Sequence, residues 1–403
     1  MDTFVARQPI FDRDMQVYAY ELLYRDSSGE NFYRSSDANR ASSSTMVDCF
    51  HNIGIQRMTG GKRAFINFTE HLLLCNVATL FPNNLLVVEL LENVKCTPQV
   101  VEACRRLKDC GYMLVLDDFV YSDEYMPLIK MADIIKIDFL AMPLIEIESL
   151  ARTLGKLGIP LLAEKIESRD VFEAAKEIGF QYFQGYFFAK PMVLSEKKLD
   201  PLRINYMKLL RLINNEEIEF ARIAAVIRQD IALSYKLLRL ANSAYFGFRS
   251  EIRSIVHALT ILGEDECRKW VSLVVLTETS SEKPDELIRM SMIRGRFLEL
   301  LSEELNMPSS KDDLFILGLF SLIDVLMDRE MSDIITMIHL PDEVEKALIG
   351  APGKYEGFLK LVGAYEQGLW DESVAQAERH GLSISRMNEL YVEAMTWTSQ
   401  IVV

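Results

Sequence analysis

Up to about Met192 the chain alternates short, almost wholly apolar runs with amphipathic stretches, and few folds accept that pattern. The runs are Ala64–Phe68, Leu85–Leu90, Met113–Asp117, Asp133–Asp138, Ile159–Ala163 and Tyr182–Phe183. Between them, Thr97–Asp109, Leu144–Leu157 and Arg169–Ile178 carry helical periodicity. Strands that are apolar on both faces must be covered on both faces, which a parallel sheet wrapped by helices achieves. With Thr3–Gln8 and Val17–Leu22 as the first strands the count approaches eight, which predicts a TIM-like (β/α)8 barrel.

From about Pro201 the strand signal stops. Tyr206–Asn214, Phe220–Gln229, Ala232–Ser243, Ser254–Leu262, Glu266–Glu278, Leu287–Leu305 and Leu314–Asp328 read as helices, punctuated by Gly247, Gly263, Pro284, Pro308, Pro341 and Gly350–Gly353. The expected fold class is therefore α/β plus all-α: a barrel over 1–196 and a helical bundle over 202–403, joined near 197–201. No repeat of fixed period is present.

Composition narrows the function classes. The net charge is −15, with −6 before and −9 after the junction, so neither half is a basic arm and neither nucleic acid nor an anionic membrane is an expected partner. The longest apolar runs, such as Phe315–Ile323, fall well short of the roughly 20 residues that span a bilayer. Met1–Phe4 has no basic region before an apolar core, so no signal peptide is expected. Six cysteines without a C-x-x-C pair suit a reducing, cytoplasmic setting.

Polar residues stand at the C-terminal ends of the apolar runs: Glu21, Asn67, Glu89, Asp117 with Asp118, Lys136 with Asp138, Glu164 with Glu167, and Gln184. Any one of them reads simply as the chain leaving the core or capping the next helix. Seven in succession read differently, because a barrel brings all its strand C-termini to one face. Carboxylates brought that close raise one another's pKa unless a cation neutralises them. Oxygen-only donors with one amide suit Mg²⁺, Mn²⁺ or Ca²⁺, and the adjacent pair Asp117–Asp118 could bridge two ions across a phosphodiester. Lys136 beside the cluster could hold a phosphate or orient water.

These residues resemble a known family. Tyr20–Arg25, Ile66–Asn67, Val88–Glu92, Asp117–Phe119, Lys136–Asp138, Ala163–Glu167 and Gln184–Tyr186 look like the EAL domain, in family order over about residues 1–192. The resemblance implies a barrel that hydrolyses cyclic di-GMP to pGpG with two Mg²⁺ or Mn²⁺ ions, Ca²⁺ being a candidate inhibitor. It implies that Glu21, Asn67, Glu89 and Asp117 hold one ion and that Asp117, Asp118 and Glu167 contact the other. Lys136 and Glu164 would position the attacking water and Gln184 would steady the site. Gln8 and Arg25 would face a phosphate or a guanine. Tyr186–Phe188 reads first as core, although an aromatic that follows Gln184 at the mouth could stack on a guanine.

Two departures from the family pattern keep two readings open. The signature triplet is Glu21-Leu22-Leu23, and the glycine-rich loop after Asp-Asp-Phe is here Val120-Tyr121-Ser122-Asp123. Val and Tyr do not allow the positive φ and close approach that glycines allow. In active members that loop orders the second-metal site and a homodimer contact. The short inter-strand segments also imply cropped barrel helices. The chain is therefore either a metal-dependent phosphodiesterase or a catalytically inactive cyclic di-GMP receptor or interaction scaffold.

In the second half, Leu237–Ala244 and the segments around it look like the HDOD domain over about residues 202–403, which implies protein partners. None of the five histidines is followed by Asp, and where a metal-dependent HD hydrolase would carry His-Asp the chain reads Ser321-Leu322. Without those ligands this half is expected to be non-catalytic. Asn242-Ser243 reads either as a helix cap or as a partner-contact edge, and His257 as a packed or solvent-edge residue.

Overall fold

The computed structural model describes residues 3–26, 55–119, 122–189, 201–215, 218–241, 252, 254–279, 284–327, 329–338 and 340–401. The chain divides into two compact units, Met1–Lys190 together with Lys360–Val403, and Pro191–Leu359. The expected helical half over 202–403 is thus not one body. Its last segment goes with the barrel, and the first unit is discontinuous in sequence.

The barrel unit closes eight strands in chain order, with β8 returning to β1. They are β1 (Thr3–Phe11), β2 (Val17–Asp26), β3 (Arg63–Phe68), β4 (Leu86–Leu90), β5 (Met113–Leu116), β6 (Ile134–Asp138), β7 (Leu161–Glu164) and β8 (Tyr182–Gln184). β2 to β8 run parallel, but β1 is antiparallel to both of its neighbours, which corrects the expectation of a parallel sheet throughout. The cause is local. Asp12 Oδ1 accepts from the amides of Asp14 and Gln16 at 2.9 Å each, and Met15 takes a positive φ of 59°, so the chain reverses at once. A connection that short can only make a hairpin.

The barrel helices are α1 (Ile55–Thr59), α2 (Glu70–Leu74), α3 (Pro98–Asp109), α4 (Met126–Ile129), α5 (Leu144–Gly155) and α6 (Arg169–Ile178). Thr97 and Ser168 cap α3 and α6 by accepting from amides three residues on, at 3.3 Å each. Among the described residues between β5 and β6 there are only a 3-10 turn and the short α4, so this part of the outer layer is cropped as the segment lengths imply.

Inside, Ile10, Ala19, Phe65, Val87, Val115, Ile134 and Leu162 form an apolar layer, with Tyr182 packed against it. Side chains two apart on a strand share a face. Two residues further towards the open end, every strand therefore contributes the next inward position: Gln8, Glu21, Asn67, Glu89, Asp117, Lys136, Glu164 and Gln184. β1 counts backwards because it runs the other way.

The C-terminal part of this unit comprises α16 (Phe358–Glu366), which enters it at Lys360, then α17 (Trp370–Arg379) and α18 (Ile384–Ile401). α18 packs on β1 and α1. Tyr365 is fully buried between Trp370 and Tyr391, with ring centroids at 5.6 and 4.8 Å, and its hydroxyl donates to Asn388 Oδ1 at 2.8 Å.

The second unit holds α7 (Pro201–Ile213), α8 (Phe220–Ile227), α9 (Ile231–Ala241), α10 (Ile255–Thr279, broken at Gly263), α11 (Asp285–Glu304), α12 (Lys311–Phe320), α13 (Ile323–Met327), α14 (Met331–Ile338) and α15 (Asp342–Leu348). α11 and α12 approach backbone to backbone, since a Cβ on Gly318 would lie 2.4 Å from the Arg294 carbonyl.

Candidate metal centre

Lys136 is the hub of the polar layer. It is the third residue of β6, with apolar neighbours along the strand facing the helices, and only 1% of its surface is exposed. Its Nζ lies 3.3 Å from Glu21 Oε2, 3.1 Å from Asp117 Oδ1 and 2.6 Å from Glu164 Oε1, and it pairs with Glu89 Oε1 as well. The sequence placed Lys136 beside the carboxylates; the barrel places it among them.

Two amides tie the layer together. Gln184 Nε2 donates to Glu21 Oε2 at 2.7 Å and to Gln8 Oε1 at 3.0 Å, while Asn67 Nδ2 donates to Glu21 Oε1 at 3.2 Å. Both Glu21 oxygens are therefore held by donors, from β3 and from β8 across the barrel mouth, and the carboxylate cannot rotate freely.

One ammonium cannot neutralise three buried carboxylates and the half-buried Asp117. Burial, opposed by Lys136 and reinforced by Glu21, Asp117 and Glu164, pushes the Glu89 carboxyl well above the usual range. Glu164 is raised well above it by burial too, against Lys136 and with Asp117 and Glu21 adding. Burial and the adjacent Asp117 raise Asp118. Burial alone would lower Lys136, but the four carboxylates outweigh it and hold the ammonium charged.

The donor set fits a hard divalent cation. Glu21, Glu89 and Glu164 offer oxygens within 4.8 Å of one another, as do Asp117, Asp118 and Glu164, so that Glu164 belongs to both groups. Among the described residues both such groups lie in the barrel. Four buried oxygens of these residues, Asn67 Oδ1, Glu89 Oε2, Asp118 Oδ1 and Gln184 Oε1, have no protein donor. Unsatisfied buried acceptors cost free energy, and a cation supplies what they lack.

The turns just beyond the strands are strained to present these groups. Asp118 and Lys165 have φ of 41° and 54°, a conformation that costs a non-glycine residue roughly 1–3 kcal/mol. Lys165 Nζ reaches Asp138 Oδ2 at 2.5 Å and Asp118 Oδ2 at 3.8 Å, tying two strand ends together. Gly185, at φ 145°, lets Ile166 bridge the ends of β7 and β8: its amide donates to Gln184 O and its carbonyl accepts from the Phe187 amide, at 3.0 Å each. A Cβ on Gly185 would lie 2.2 Å from that carbonyl oxygen.

Not every expected residue joins the centre. Glu167 is exposed and belongs to neither carboxylate group. Arg25 lies on β2, but its side chain is outside the described residues, as are Val120 and Tyr121 of the departing loop. Tyr186 is half-buried, and Phe187 and Phe188 belong to the core, where Phe187 stacks on Phe172 at 4.8 Å. Sequence reasoning missed Lys165 as a tie between strand ends, and nothing about a lone lysine among polar neighbours marks that role.

In the helical unit, the hydroxyl of Ser321 accepts from Arg294 Nη1 at 3.1 Å and donates to Gly318 O at 2.7 Å. His257 is exposed; Asn242 and Ser243 lie outside the described residues.

The EAL domain family matches residues 38–191 and the HDOD domain family residues 199–345. The uncharacterized protein YuxH of Bacillus subtilis is 38% identical over 98% of both chains. The cyclic di-GMP phosphodiesterase CdgJ of Vibrio cholerae is 34% identical over 99% of this chain and 93% of its own. The chain belongs to the EAL–HDOD family. Among solved structures, the cyclic di-GMP-bound form of a standalone EAL protein from Vibrio cholerae O395 is 23% identical, covering 47% of this chain and 92% of that one at a TM-score of 0.37. Among the described residues of this EAL–HDOD protein, no helix is long and apolar enough to cross a membrane.

Proposed function

We propose that the barrel unit is a cyclic di-GMP phosphodiesterase dependent on Mg²⁺ or Mn²⁺, with Ca²⁺ inhibitory, and that the HDOD unit regulates it or contacts protein partners. The observation that carries this reading is the partly neutralised ring of carboxylates around Lys136, together with the orphaned oxygens. Membership of the EAL–HDOD family and the likeness to CdgJ support it.

Divalent cations at such a centre would polarise the scissile phosphate and lower the pKa of water. The chain's own residues then divide the work. Glu21, Asn67, Glu89, Asp117 and Asp118 supply ligands, and Glu167 is proposed for the second ion. Glu164, whose carboxyl burial raises, takes the proton of the attacking water. Lys136 stays charged and holds the carboxylates at their spacing. Gln8, Arg25 and Gln184 orient the dinucleotide at the mouth. A cytoplasmic setting is supported by the six cysteines, which form no C-x-x-C pair and no framework spacing.

Hydrolysis of cyclic di-GMP by the full chain, with Mg²⁺ and then Mn²⁺, tests this. Wild type should form pGpG, and Glu21→Gln should lower the rate by at least about 100-fold while the protein stays folded. Turnover that survives Glu21→Gln would refute the site. One observation favours a second reading, a receptor that binds without turnover: Val120–Asp123 replaces the glycine-rich loop. Binding in Ca²⁺ with no product in Mg²⁺ or Mn²⁺ would select it.

A further inference from the structure

The last segment of the chain reaches the metal centre through one hydrogen bond at the end of α16. That helix terminates in a Schellman turn: the Leu369 amide donates to Ala364 O at 2.9 Å and the Gly368 amide to Tyr365 O at 3.1 Å, with Gly368 at φ 69°. Such a turn leaves the carbonyl of the capping residue, here Gln367, without a partner in the helix. Gln8 Nε2 supplies that partner from β1, at 3.3 Å. Gln8 Oε1 in turn accepts from Gln184 Nε2, which also donates to Glu21 Oε2. The relay thus runs from a main-chain carbonyl of the C-terminal segment, through two amides, to a ligand of the centre.

Neighbouring contacts fix the turn at that place. Glu366 is buried, and its Oε2 lies 3.5 Å from the Tyr186 hydroxyl. A Cβ on Gly368 would meet Leu23 Cδ1 at 2.8 Å, two residues past Glu21 on β2. The turn therefore meets β1, which pairs with Glu21, β2, which carries it, and the segment after β8, whose Gln184 donates to it.

We propose that the turn Glu366–Leu369 is a positioning element of the barrel's site: Gln367 O sets Gln8, and Gln8 and Gln184 set the Glu21 carboxylate for metal and dinucleotide. The proposal deepens the reading of the barrel as a cyclic di-GMP site and rests on it for the dinucleotide. The metal half depends only on the carboxylates.

A matched control exists within the same unit. α17 ends in the same kind of turn, with the Leu382 amide on Ala377 O, the Gly381 amide on Glu378 O and Gly381 at φ 71°. A Cβ on Gly381 meets nothing within 4 Å. Gly368→Ala and Gly381→Ala thus impose the same backbone strain, and only the first sets a Cβ against a neighbour, the Leu23 Cδ1 methyl on β2.

The experiment compares wild type, Gly368→Ala and Gly381→Ala as full chains, measuring Mn²⁺ affinity, cyclic di-GMP affinity in Ca²⁺, and thermal stability. Gly368→Ala should weaken Mn²⁺ binding at least 10-fold, while Gly381→Ala should stay within 2-fold of wild type at a comparable loss of Tm. Equal affinities in both variants would overturn the relay. If Gly368→Ala fails to fold, Gly368→Asn, which tolerates positive φ, replaces it with the same expectation because its Cβ still meets Leu23. Wild type that binds Mn²⁺ but no cyclic di-GMP would refute the dinucleotide reading alone, and the Mn²⁺ comparison would still decide the relay.

Discussion

Lys136 carries a burden unusual for a lysine. Long ammonium side chains stay at the surface because desolvation of one such ion costs several kcal/mol. Here that cost is offset by four carboxylates, yet the carboxylates outnumber it, and Glu89, Glu164 and Asp118 are all raised by burial. The sign follows from linkage. A carboxyl raised in the fold contributes stability that is complete below its unfolded value and is lost as pH rises through its folded value. Metal-free protein should therefore gain thermal stability as the pH is lowered from about 8 to about 5, a range above the unfolded carboxylate pKa of ~4. Saturating Mn²⁺ should reverse the trend, because a ligand must lose its proton to bind. Melting curves at several pH values, with and without Mn²⁺, check both slopes, and a metal-free Tm that rises with pH would contradict the charge balance described here.

At the scale of elements, the barrel shows why its site was legible. An inward position of a parallel strand is normally apolar, so a carboxylate or amide two residues past Ala19, Phe65, Val87, Val115 or Leu162 stands out in the sequence. The direction of β1 was not legible in the same way. Thr3–Phe11 has strand character whichever way it runs, and only the Asp12–Gln16 turn decides. Gln8 was found through resemblance, but its place beside Glu21 follows from the antiparallel register. The strap between β7 and β8 makes an element-scale prediction. Gly185→Ala should destabilise the barrel by roughly 4 kcal/mol or more, since its Cβ would collide with the Ile166 backbone and neither side can move without parting two strands. Guanidinium unfolding followed by near-ultraviolet circular dichroism measures this, and a loss under about 1 kcal/mol would show that the strap yields.

For the whole molecule, the surprise is the address of the last helices. An amphipathic helix presents the same apolar face whether it packs on other helices or on a barrel, so α18 gave no sign that it packs on β1. Met387, Leu390, Tyr391 and Met395 are buried along it. At roughly 1.5–3 kcal/mol for each large side chain, their burial rivals the 5–15 kcal/mol that holds a typical domain together. A chain ending at Leu359 should consequently keep a folded helical unit and lose protection in β1. Hydrogen exchange read by mass spectrometry distinguishes this from the alternative, in which β1 is as protected as in the full chain and the division into units is wrong.

Discontinuity of the barrel unit also governs how the protein comes into being. β1 leaves the ribosome first, but α18, which packs on it, follows some 380 residues later. At ~5–20 residues per second, that is a wait of roughly 20–80 s. The helical unit, Pro191–Leu359, is made within this interval, while the apolar outer surface of the β1–β2 hairpin waits without the helix that covers it. Translation speed, rather than intrinsic folding speed, sets how long this surface stays uncovered.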